Sequence, residues 1–80
     1  MSYSSQNLAE LDVLMLFKSP SGLEGIKIHK DADAAVIAAA KQLYAGGFIT
    51  QVDGGYLTPL GLQAAEHAHS LYLMLNSGSD

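Results

Sequence analysis

The chain contains no cysteine and no arginine. The first absence excludes disulfides and thiolate metal sites. The second removes the side chain best suited to bidentate recognition of phosphate and guanine. Charged residues make up only 15% of the chain, and eight acids against four lysines give a net charge of −4. That balance opposes nonspecific attraction to nucleic acid or to an anionic membrane. No apolar run approaches the roughly twenty residues of a membrane span, so no membrane partner is expected. The N-terminal MSYSSQNLAELD lacks the basic segment and small-residue cleavage site of a secretory signal, and the expected compartment is the cytoplasm. There is no Gly-x-x-x-x-Gly-Lys phosphate loop, and no serine stands beside a histidine and a carboxylate in a nucleophile-elbow context. The expectation is a non-catalytic protein without a cofactor.

What is present is apolar and small. At 80 residues and 49% hydrophobic, with mean hydropathy +0.17, the chain is too apolar for a disordered tail and is one domain at most. The first six residues, MSYSSQ, read as a disordered lead-in to a single domain over 7–76, with 77–80 as a frayed tail. Asn7 and Glu10 have the spacing of a capping box before Leu8, Leu11, Leu14 and Met15, predicting a helix over about 8–18 that Ser19-Pro20-Ser21-Gly22 stops. Ile26 and Ile28 alternate with Lys27 and His29, the pattern of a short half-buried strand. Asp31 or Asp33 caps a second helix over about 34–45, closed by Gly46 and Gly47. Two β-prone runs then flank Asp53-Gly54, a pair suited to a type I′ hairpin turn. Thr58 as cap and Pro59 at the first position start a third helix, to about Leu75.

The order α-β-α-β-β-α, the LYAGGFI helix end and the YLTPLGLQAAEHA helix start together resemble the winged-helix domains of bacterial regulators. Leu43, Gly47, Phe48 and Ile49 match the end of a recognition helix; Leu57, Thr58, Pro59 and Gly61 match the passage from wing to helix. The resemblance covers about 26–75, and the whole chain resembles a small uncharacterised bacterial family described only as DNA-binding proteins. It implies an α+β, winged-helix-like fold with a short wing hairpin and a long C-terminal helix. It also implies a DNA-binding, transcription-regulatory function. Two features depart from the pattern. Only Asp31, Ala32 and Asp33 separate the strand from the second helix, where a full helix-turn-helix has another helix. The amino end of that second helix and the wing tip are acidic, which repels phosphates. The alternative function is therefore a degenerate winged helix that serves as a protein-interaction or dimerisation module without DNA binding.

On a helical wheel the second helix turns Val36, Ile37, Ala40, Leu43 and Tyr44 toward the core and Ala34, Ala38, Lys41, Gln42 and Ala45 outward. The candidate DNA contacts are Lys27, Lys30, Lys41 and Gln42. Were all four lysines, Lys18 included, on phosphates, the salt slope would be about −3.6 per subunit. The third helix carries two apolar stripes, Leu60, Ala64, Ala68, Leu71 and Leu75 on one side and Leu62, His69, Tyr72 and Leu73 on another. A helix on a single core needs one, so a homodimer through the first and third helices is expected. Its candidate contacts are Leu14, Phe17, Leu62, His69, Tyr72 and Leu73. His67-x-His69 points its rings to different sides of a helix and makes no metal site. Gly22-Leu23-Glu24-Gly25 reads as a turn.

Overall fold

The computed structural model describes residues 1–17 and 24–77. Its elements are α1 (Ser5–Met15), β1 (Ile26–Lys27), α2 (Ala34–Ala45), β2 (Ile49–Gln51), β3 (Gly54–Leu57) and α3 (Pro59–Ser77). The three strands form one antiparallel sheet in the order β1-β3-β2, with Ile26 opposite Gly55 and Ile49 opposite Leu57. The fold is α+β in the expected order, with a long C-terminal helix.

The polar lead-in is shorter than the pattern predicts, because the capping box sits one turn earlier. The Asn7 amide donates to Ser4 Oγ at 3.0 Å, and the Ser4 amide donates to Asn7 Oδ1 at 3.1 Å. Reciprocal bonds of this kind satisfy amides that a helix start leaves open. Asn7 is thus the third helical residue and not the cap, and Glu10 accepts from Asn7 Nδ2 on the helix surface. The stop at Ser19-Pro20-Ser21-Gly22 and the cation Lys18 lie outside the described residues.

α2 matches its expected span. Asp33 is its cap position but makes no side-chain capping bond; between β1 and α2 the chain makes a turn in which the Ala32 amide donates to the His29 carbonyl at 3.0 Å. Gly47, at φ +82°, ends the helix in the left-handed conformation, whereas Gly46 is right-handed at φ −82°. The hairpin turn differs from type I′. Asp53 does not have positive φ; Gly54 (φ +123°) and Gly55 (φ +72°) do, and both lie in β3. The register shifts between Ile49 and Gln51, a bulge that bends the hairpin. Across it the Tyr56 amide donates to Thr50 Oγ1 at 2.9 Å.

Thr58 and Pro59 start α3 as expected. Thr58 Oγ1 accepts the Gly61 amide at 3.0 Å and donates to the Gly47 carbonyl at 2.5 Å, so one hydroxyl ties the cap of α3 to the turn after α2. α3 runs on through Asn76 and Ser77; residues 78–80 lie outside the described residues.

The core gathers Val13, Leu14 and Phe17 from α1 and its end, Ala39, Ala40 and Leu43 from α2, Ile28, Ile49 and Leu57 from the sheet region, and Ala65 and Ala68 from α3. Two helical faces are rotated from the wheel. Ala39 is fully buried, and Tyr44, expected inside, is half exposed. On α3 the buried line is Gly61, Ala65 and Ala68, while Leu60 is exposed. The physical cause is close approach: a Cβ at Gly61 would overlap the Phe48 carbonyl oxygen, and a leucine on that line could not fit. Small residues mark the inner face of α3, and on α2 Ala39 and Ala40 share it with Leu43.

Candidate nucleic-acid interface

β1, the turn after it, α2 and the hairpin turn enclose an open groove of ≈ 540 Å³. Its apolar floor is Ile28, Ile37, Ala40 and Val52, and its polar lining is Lys27, His29, Lys30, Lys41 and Asp53. Alternation along 26–29 sets Lys27 beside the groove while Ile28 joins the core. Lys30 follows in the turn, and Lys41 projects from the outward side of α2. The three candidate lysines therefore come from a strand, a turn and a helix and meet around one depression, all exposed. Among the described residues the one ion pair is Lys27 Nζ to Asp53 Oδ2 at 3.4 Å. The pair is exposed, so it contributes little to stability, but it places a carboxylate against one of the groove's three ammonium groups.

Gln42 does not join this groove. It lines a separate depression of ≈ 260 Å³ with Tyr3, Leu14 and Phe48, because the residue after Lys41 is turned by about 100° on the helix. His29 and Val52 complete the lysine groove; from the sequence His29 reads as part of the strand's alternation and not as a DNA contact, and Val52 is not singled out. The alternation signal was available for His29, which follows Lys27 by two; Val52 arrives only because the hairpin folds back toward β1, where the Ile28 amide donates to the Asp53 carbonyl at 2.8 Å.

The expected contacts of the first and third helices separate into two groups. Leu14 and Phe17 are buried in the chain's own core, at 5% and 1% exposure, and present no surface to a partner. His69 is half-buried, and its Nε2–H donates to the Phe17 carbonyl oxygen at 3.0 Å, joining α3 to the end of α1. Leu62 packs partly against the core. Only Tyr72 and Leu73 stand exposed. Tyr72 lines a second apolar groove, of ≈ 350 Å³, between α1 and α3, and Leu73 does not.

Among the described residues no group of three or more His, Cys, Asp or Glu is placed to hold a metal, and no helix is long and apolar enough to cross a membrane. No curated protein and no solved structure matches the chain. A family of unknown function, DUF5669, matches residues 1–76, and the chain belongs to that family.

Proposed function

We propose that this chain is a winged-helix-like DNA-binding module of transcription-regulatory type, which holds the phosphate backbone with Lys27, Lys30 and Lys41. The observation that carries the reading is the convergence of these lysines, from β1, the following turn and α2, on one groove beside the hairpin. Ammonium groups spaced around a depression suit successive phosphates, and contacts of this kind position a protein without reading sequence. α2 adds little base recognition, since Ala34, Ala35, Ala38 and Ala45 dominate its exposed side. Three phosphate contacts give an expected salt slope of about −2.7 per subunit. Binding to duplex DNA followed by fluorescence anisotropy across a salt series tests this. Lys41→Glu is expected to abolish measurable binding. Lys27→Ala is expected to weaken it about equally on every sequence and to lower the slope by about one. Asp53→Asn, which frees Lys27 from its carboxylate, is expected to strengthen binding. Absent binding, or binding indifferent to salt, removes the proposal.

The exposed alanines of α2 favour a second reading, a protein-interaction module in which small side chains let a partner helix approach closely. Ala38→Arg separates the two: added positive charge strengthens DNA association, whereas its bulk blocks a helix docked on α2.

A further inference from the structure

Gly61, Ala65, Ala68, Tyr72 and Leu75 recur at spacings of four and three residues and run as one line along α3. The first three are buried. The last two, on the same line, are 53% and 73% exposed. α1 carries a parallel line, Leu8, Leu11 and Met15, which with Leu71, Tyr72 and Leu75 walls the ≈ 350 Å³ groove. Residues 71–75 are apolar at every position, so over that stretch the helix has no face suited to water, and a helix apolar all round is a buried helix.

We propose that this α1–α3 groove docks a second copy of the same chain about a twofold axis, the uncovered end of each α3 seated against α1 and α3 of the other. Leu8, Tyr72 and Leu75 on the groove, and Leu73 and Met74 on other sides of the α3 end, are all at least half exposed; they offer on the order of 600 Å² of residue surface, which a partner covers only by flanking the helix end on more than one side. With the half-buried Leu11, Met15 and Leu71 the patch approaches the about 800 Å² per partner of a standard interface. Each copy supplies both the Tyr72 ridge and a groove to receive it, as a twofold contact requires. Charge argues against a lipid surface as the occupant: α3 has no lysine or arginine and the chain carries −4, whereas interfacial helices rely on cations facing anionic headgroups. The inference does not rest on DNA binding, because none of the groove lysines lies on α1 or α3.

Sedimentation equilibrium of the full chain at micromolar concentration is expected to give twice the 8.4 kDa chain mass. The double change Tyr72→Asp with Leu75→Asp puts unpaired charges into the contact and is expected to raise the dimer dissociation constant about a hundredfold or more. Helical circular dichroism is expected to persist, since both side chains are exposed in the single chain. Leu8→Glu, on the other helix, is expected to act in the same direction. Leu60→Asp, exposed on α3 but off the line, is expected to leave the dimer intact. A wild-type mass of one chain throughout the micromolar range overturns the proposal. So does a dimer indifferent to both the Tyr72/Leu75 and Leu8 changes, a mass that grows without limit with concentration, or a monomer captured by vesicles of zwitterionic lipid. The lysine variants report on DNA binding separately, so failure of either reading is distinguishable from failure of the other.

Discussion

The two halves of α3 share one helical line and treat it oppositely. In the first half the line is made of Gly61, Ala65 and Ala68, all buried. In the second it is made of Tyr72 and Leu75, both more than half exposed. Where the chain covers its own helix, it uses side chains small enough for backbone to approach backbone; where it leaves the helix uncovered, it uses large apolar ones. Hydrophobicity alone therefore does not report burial here. Size does, because close approach determines which residues the inner face tolerates.

The largest expected effect breaks the covered half. Gly61→Ala places a Cβ against the Phe48 carbonyl, an overlap that only backbone movement relieves. A loss of about 3 kcal/mol or more is expected, a large share of the about 4–12 kcal/mol expected for a chain this long. An unchanged urea midpoint would show that α3 does not approach the hairpin start so closely. Next comes Thr58→Ala, which removes both the cap to the Gly61 amide and the bond to the Gly47 carbonyl. About 1–2 kcal/mol is expected by thermal unfolding, with Thr58→Ser recovering most of it.

Gly47→Ala is smaller. A Cβ there meets nothing within 4 Å, so the cost is conformational alone, from a left-handed backbone at φ +82°, about 1 kcal/mol. A larger loss would point to packing against that turn. The smallest effect sharpens the uncovered half. In a Leu8→Glu background that holds the chain monomeric, Tyr72→Ala is expected to change unfolding stability by less than about 0.5 kcal/mol. A loss comparable to that of Thr58→Ala would show that the chain itself already covers the end of α3.

The lysine groove and the α1–α3 groove differ in how far the sequence exposed them. Lys27, Lys30 and Lys41 were legible as a set, because Lys27 and Lys41 sit on elements whose outward side follows from period and Lys30 follows Lys27 by three residues in the adjoining turn. Gln42 is exposed, as the wheel predicts, but lines a different depression, since neighbouring positions on a helix diverge by about 100° and only packing fixes which of them faces the strand. Leu14 and Phe17 were assigned to a partner because α1 is apolar nearly all round; burial against α2 and α3 accounts for them within one chain. His69, expected at a dimer contact, bonds the Phe17 carbonyl, 52 residues away, a contact that no local pattern encodes.

By itself the sequence determined the order of the six elements, the span of α2, the Thr58-Pro59 start of α3 and the left-handed Gly47. These depend on short-range signals, the Thr58 cap, proline, glycine and the alternation around Ile26 and Ile28, whose effects act within a few residues of themselves. Tertiary structure alone decided which faces of α2 and α3 turn inward, which residues make up the lysine groove, and where the apolar line of α3 loses its cover. In a helix this rich in alanine many faces are apolar enough to be buried, so the choice among them falls to the fit of backbone against backbone, at Gly61 against the Phe48 carbonyl above all.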